Sequence, residues 1–250
     1  MPESWMERYL ARIGYDGSRE PSLATLRALQ ERHLLSVPFE NLDIHWKRPI
    51  VVDEERFIEK IVAARRGGFC YELNGAFAAL LRAFGFEVTL LSARVHDAGG
   101  TFGPPFDHMT LLVRLGEDSR WLADVGFGES FLQPLNLDAR LEQHDATGVY
   151  RIVPGQEWQM QLRREELWEP QFAFTLEPHE LPEYAAMCDF QQTSPESHFT
   201  KGRVCSLATE TGRVTLTETT LIITRDGERT EIPVAADEWN EVLRETFGIA

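Results

Sequence analysis

Along the first third of the chain, apolar residues recur at helical spacing. Leu23, Leu26, Leu29 and Leu34 share one face, Ser22 after Pro21 supplies an N-cap, and Val37-Pro38 ends the run. Asp53, Glu54 and Glu55 suit the first turn of a second helix, whose apolar stripe is Phe57, Ile58, Ile61 and Val62 and whose expected stop is Gly67-Gly68. A third helix follows, with Leu73, Phe77, Leu80, Leu81 and Phe84 on its apolar positions and Gly85 as its stop, so that Cys70 falls at its first turn.

From Glu87 the period changes. Val88 to Val95, Met109 to Leu115, Arg120 to Val125, Trp158 to Leu162 and Phe172 to Leu176 are short, β-prone and separated by turn residues, which predicts a sheet or barrel. Leu221 to Thr224 and Arg229 to Ile232 flank Asp226-Gly227, a hairpin signal, and Ala236 to Phe247 predicts a closing helix. No internal repeat, low-complexity stretch or long linker interrupts this order.

Composition narrows the function classes. A chain of 250 residues accommodates one extended domain or two to three small ones sharing a core. Lys and Arg total 25 against 40 Asp and Glu, a formal charge of -15, so the overall field disfavours nucleic acid and anionic membrane; an anionic ligand needs local help from a helix N-terminus, backbone N–H groups or a few arginines. Glu3, Glu7 and Arg8 interrupt the start, where a signal peptide would be apolar, and no apolar run reaches membrane-spanning length, so a cytoplasmic protein is expected. Three cysteines without CxxC spacing fit neither a disulfide framework nor a structural zinc site.

Candidate chemistry centres on Arg66-Gly67-Gly68-Phe69-Cys70-Tyr71-Glu72-Leu73-Asn74. A helix N-terminus carries partial positive charge and unpaired N–H groups, which are expected to lower a thiol pKa and to hold an oxyanion. Cys188 and Cys205 lack such a setting and read as small buried hydrophobes. A cysteine nucleophile needs a base and an orienting acid. His108 opens one predicted strand and Asp124 interrupts the apolar run of the next. If Gly116-Glu117-Asp118 forms the turn, Leu115 faces Ser119, His108 faces Gly126, and Asp124 lies diagonally on the same sheet face; an even-length turn would put them on opposite faces. Positions 70, 108 and 124 match no compact metal-ligand spacing, so no metal is expected.

These residues resemble the arylamine N-acetyltransferase family of the bacterial type. Its motif Arg-Gly-Gly-x-Cys-x-Glu-x-Asn stands unbroken at 66–74; Pro38-Phe39-Glu40-Asn41-Leu42-Asp43 and Ala123-Asp124-Val125-Gly126-Phe127-Gly128 resemble two further motifs, and His108 falls where the family's histidine lies. Weaker echoes occur at Ser197-His198-Phe199 and Phe247-Gly248. The resemblance implies an α+β fold with a cysteine-protease-like core: a helical bundle over 1–86 carrying Cys70, an antiparallel β-barrel over 87–192 carrying His108 and Asp124, and an α/β lid over 193–250.

It also implies a ping-pong reaction in which Cys70 takes acetyl from acetyl-CoA, the co-substrate, and passes it to a small aromatic amine, hydrazine or N-hydroxyarylamine. Phe39, Val95, Phe127 and Phe199 match positions lining the acceptor pocket, Gly126 and Gly128 leave backbone open for the CoA arm, and Glu40 and Arg66 resemble a supporting ion pair. The chain ends at Ala250, just past Phe247-Gly248, so CoA contacts made by a longer tail in many relatives are expected to be missing. Alternatives with the same three side chains are an amide synthase acting on another acyl donor and a thiol hydrolase using water; a binding module that retains only the fold is a third.

Overall fold

A computed structural model describes residues 4–97, 99–117 and 119–250. The helical part is built from α1 (Trp5–Ile13), α2 (Leu23–Ser36), the short α3 (Leu42–His45), α4 (Glu54–Ile58) and α5 (Cys70–Ala83). Ser22 caps α2 through its hydroxyl, which accepts from the Thr25 N–H at 3.2 Å, and Gly85 at φ 90° turns the chain after α5 as expected. The hydrophobic pattern does not anticipate α1, although Ser4 caps it and Gly14 closes it in the left-handed conformation.

The second predicted helix departs from expectation. Asp53 caps α4, but Glu59–Ala63 widens into a π turn, and Arg65 at φ 52° ends the helical path before the glycines. Gly67 and Gly68 serve close approach instead: a Cβ on Gly67 would lie 1.9 Å from the Pro38 carbonyl oxygen, and the Glu40 N–H donates to the Gly68 carbonyl at 2.8 Å. The two glycines thus seat the nucleophile segment against β1 (Phe39–Glu40).

Further along lie β2 (Glu87–Val95), β3 (His108–Arg114), β4 (Arg120–Ala123), β5 (Leu135–Asn136), β6 (Gln143–Asp145), β7 (Gly148–Val153), β8 (Trp158–Arg164) and β9 (Leu167–Phe174). They form one antiparallel sheet in the order β5-β4-β3-β2-β9-β8-β7-β6. The sheet curls into a nearly closed barrel. One side chain ties its ends together: the Asn136 N–H donates to Gln143 Oε1 at 2.7 Å, and Gln143 Nε2 returns a bond to the Asn136 carbonyl at 3.0 Å. Strand periodicity divides β3 between two cores. Met109, Leu111 and Val113 pack with α5 and the other helices, whereas Leu112 joins Leu91, Leu122, Met160 and Phe172 inside the barrel. His108 shares the parity of Leu112 and touches barrel-side aromatics, with its ring centroid 5.4 Å from that of Phe172.

After α6 (Ala185–Thr193), whose Cys188 returns to the helical core, a five-stranded sheet runs β1-β10-β11-β12-β13, with β10 (Cys205–Thr209), β11 (Gly212–Leu216), β12 (Thr220–Arg225) and β13 (Glu228–Pro233). The predicted hairpin is present: Arg225 pairs Glu228 across Asp226 at φ 51° and Gly227 at φ 83°. A closing helix α7 (Trp239–Phe247) packs Trp239, Leu243 and Phe247 onto this sheet together with Ile249. Because β1 and β10 pair through Glu40 and Cys205, the last segment of the chain is stitched beside the nucleophile's own loop.

Candidate active site

Cys70 is the first residue of α5, and Phe69 before it is extended. The Glu72 carboxylate reaches back to accept the Phe69 N–H at 3.1 Å, which fixes the entry of the chain into the helix. Cys70 is 3% exposed, His108 2% and Asp124 1%. Leu115 donates its N–H to the Ser119 carbonyl at 2.9 Å and Arg114 pairs Arg120, the odd-turn register expected; Asp118 of that turn lies outside the described residues. In this register Asp124 is diagonal to His108 on one face, and His108 Nε2 meets Asp124 Oδ2 at 2.6 Å. The ladder itself stops at Leu111 and Ala123.

Asp124 is heavily supported. Its Oδ1 accepts from Asn74 Nδ2 at 2.9 Å and from the Gly126 N–H at 2.8 Å, and its own N–H donates to Gln30 Oε1 at 3.2 Å. Burial pushes the carboxyl up, but His108, Asn74 and the Gly126 N–H outweigh it and hold the group below the usual carboxylate range. Asn74 also donates to the Met109 carbonyl at 2.6 Å and accepts from the Val125 N–H at 2.9 Å, so one side chain of α5 locks the strand of His108 to the loop of Asp124. The sequence motif contains Asn74 but assigns it no task; Gln30, far off in sequence, carries no signal at all.

The thiol behaves differently from the helix-terminus expectation. Burial pushes Cys70 well above the ordinary thiol range; the Met109 backbone opposes this, and the Asp107 carboxylate adds to it. Desolvation of a sulfur anion therefore exceeds what the helix end returns, and the thiolate needs a cationic partner.

A cavity of about 590 Å³ opens over these groups, and its wall includes Cys70 and His108. Phe39, Val95, Phe127 and Phe199 all line it. Phe127 stands edge-on to His108 at 5.1 Å, and Phe199 edge-on to Phe69 at 5.7 Å. Gly126 lines the cavity too, but its backbone is not open: a Cβ there would lie 2.8 Å from Cys70 Cα and 2.9 Å from the Cys70 carbonyl oxygen. Gly128, at φ 86° with nothing near its missing Cβ, turns the chain at the edge and is not part of the wall.

Phe199 belongs to a loop that crosses the cavity mouth and is pinned by Asn41, another residue without an assigned task in the sequence reading. Asn41 Nδ2 donates to the carbonyls of Phe199 and Gly202 at 2.9 Å each, and Asn41 Oδ1 accepts from the Val204 N–H at 2.8 Å.

Glu40 and Arg66 lie beneath the site in a larger charge cluster. Arg66 Nη2 contacts Glu40 Oε1 at 2.6 Å and Arg66 Nη1 contacts Asp43 at 3.1 Å; Lys60 reaches Asp43 at 2.8 Å and Glu72 at 2.7 Å. Exposed Arg48 adds a longer contact of 4.0 Å to Asp43, and among the described residues Glu72 depends for a cation on Lys60 alone: burial pushes it up, Lys60 pulls it down and Glu40 pushes it up again, to about 7. Among the described residues, no group of three His, Cys, Asp or Glu is arranged to hold a metal ion, and no helix is long and apolar enough to cross a membrane.

A family model described as N-acetyltransferase matches residues 22–250. The arylamine N-acetyltransferase of Escherichia coli K12 is 35% identical, over 98% of this chain and 88% of that protein. The arylamine N-acetyltransferase / N-hydroxyarylamine O-acetyltransferase of Salmonella typhimurium is 34% identical, over 98% of this chain and 89% of that one. A solved structure of the arylamine N-acetyltransferase from Salmonella typhimurium superposes with a TM-score of 0.92 at 33% identity, covering 99% of this chain and 92% of that chain.

Proposed function

Because the chain belongs to the arylamine N-acetyltransferase family, we propose that it carries acetyl from acetyl-CoA, through a thioester on Cys70, to an arylamine, arylhydrazine or N-hydroxyarylamine. The observation that carries this reading is the 2.6 Å contact between His108 Nε2 and Asp124 Oδ2, with His108 and Cys70 on the wall of one cavity.

Asp124, held anionic, fixes the tautomer with the proton on Nε2 and leaves Nδ1 as the base. Nδ1 takes the Cys70 proton before substrate arrives, and the thiolate so formed, paired with the imidazolium, attacks the acetyl carbonyl of acetyl-CoA. The tetrahedral adduct expels the CoA sulfur, which takes that proton from the imidazolium, leaving acetyl-Cys70 and free CoA. An amine then attacks the thioester carbonyl, Nδ1 removes the amine proton, and collapse expels the Cys70 sulfur as a thiolate beside the imidazolium, restoring the starting pair. Burial of the thiol makes His108 necessary, since a lone thiolate at that depth is costly whereas a thiolate beside an imidazolium is not.

Phe39, Val95, Phe127 and Phe199 provide flat apolar walls for an aromatic acceptor. The CoA arm approaches along the open backbone at Gly128, next to Phe127, while Gly126 packs on Cys70 and lines the cavity, and Glu40 and Arg66 hold the nucleophile loop from below. The O-acetyltransferase activity in the Salmonella relative's name supports N-hydroxyarylamines as acceptors. Free, buried cysteines and a CoA donor suit the cytoplasm.

Mass spectrometry of a single turnover tests this reading. With acetyl-CoA alone, one acetyl group accumulates on Cys70; added arylamine removes it and yields an equal amount of N-acetyl product. Absence of the adduct, or its loss to water at a rate that excess amine does not change, refutes the proposal.

A further inference from the structure

The cavity wall holds a carboxylate with no part in the chemistry above. Asp107 directly precedes His108 and lines the same cavity. Its Oδ1 accepts from Gln191 Nε2 at 2.6 Å, and Gln191 Oε1 in turn accepts from Ser197 Oγ at 2.6 Å. Gln191 and Ser197 are buried, so this chain of bonds holds the acid in place from behind. Among charged neighbours, Asp107 acts most strongly on Cys70, ahead of Asp124.

Among the described residues no Lys or Arg of the cavity wall pairs with Asp107, and His108 beside it is cationic only while it balances the Cys70 thiolate, not once Cys70 is acylated. Arg203 Nε spans both oxygens of Glu218, at 3.1 and 3.0 Å, so that pair cancels. Burial keeps His198 toward its neutral form, and Lys201 beside it pushes the same way against Asp107. Lys201 itself is exposed, on the loop at the mouth, where it favours phosphates arriving from solvent.

We propose that Asp107 is a specificity-determining residue: its carboxylate, on the wall of the cavity that Cys70 also lines, selects neutral and cationic acceptors and rejects anionic ones. Repulsion between two like charges in a partly desolvated cavity acts on the bound acceptor and on the transition state alike, and exclusion of a competitor by an unfavourable charge is a common source of selectivity. The biological meaning rests on the proposed acetyl transfer; the charge effect on ligands reaching Cys70 does not.

The test compares alkylation of Cys70 by neutral iodoacetamide and anionic iodoacetate, in the unmodified chain, Asp107→Asn and Asp107→Ser. Both reagents attack the same sulfur, so its protonation cancels in the ratio of rates. Each variant is expected to shift the ratio toward iodoacetate by about tenfold; ratios within about twofold of the unmodified chain in both variants overturn the proposal. A second arm needs no variant. The unmodified chain should acetylate para-aminobenzamide with a kcat/KM about tenfold above that for para-aminobenzoate, each normalised to its uncatalysed acetylation by a simple thioester. Equal or reversed preference overturns the proposal and decides the matter if neither variant folds. Alkylation requires no acetyl-CoA, so failure of Cys70 to take acetyl would refute the transferase reading without touching this result.

Discussion

Replacing Asn74 with Ala removes the brace between the nucleophile helix and the elements that bear His108 and Asp124. Asn74 is fully buried and makes bonds of 2.6 Å to the Met109 carbonyl, 2.9 Å to Asp124 Oδ1 and 2.9 Å from the Val125 N–H. Two of these join neutral groups and contribute about 1 kcal/mol each; the third ends on a carboxylate and contributes about 1.5–3 kcal/mol. The expected destabilisation is about 4 kcal/mol, a large part of the ~5–15 kcal/mol that typically holds a domain. Urea titration monitored by tryptophan fluorescence reads this as a lower midpoint at unchanged slope. Asp124 keeps the Gly126 N–H and His108, so kcat/KM is expected to fall by about tenfold rather than to vanish. A loss below about 1 kcal/mol with unmodified kcat/KM would refute the claim that Asn74 holds the site together.

Two further outcomes follow from the geometry. Gly126→Ala places a methyl 2.8 Å from Cys70 Cα and 2.9 Å from its carbonyl oxygen, positions that flexible side chains cannot yield; a stability loss of ~1–3 kcal/mol and about a hundredfold fall in kcat are expected, and unmodified kcat would contradict the packing. Glu72, raised from 4.5 to about 7, binds its proton more tightly folded than unfolded, so its ionisation drains stability as pH climbs through that window and costs about 3 kcal/mol above it. Glu72→Gln should therefore gain on the unmodified chain by about that much between the two ends of the window in urea titrations, and a pH-independent difference between them would contradict the assignment.

Much of the arrangement was legible because it depends on local rules. Ser22 and Val37-Pro38 bound α2, Asp226-Gly227 forces its hairpin, and the meeting of His108 with Asp124 follows from the parity of one turn. What the sequence concealed is set by contacts distant along the chain. Gly67 and Gly68 look like a helix stop but serve the approach of Pro38, and Gly126 looks like an open edge but packs on Cys70. Gln30 and Asn41 act through bonds to Asp124 and to the Phe199 loop that no local pattern predicts. The depth of Cys70 is likewise a tertiary property, and it reverses the pull expected from the helix end alone.

The central claim is that Cys70 ionises by handing its proton to His108, with Asp124 steadying the resulting imidazolium. Thiolate absorbance in the ultraviolet, followed against pH for the unmodified chain and for His108→Gln, tests it most directly. The account predicts thiolate in the unmodified chain well below the free-thiol value of about 8.5, and none in His108→Gln until above it. Coincident titrations in the two proteins would contradict it.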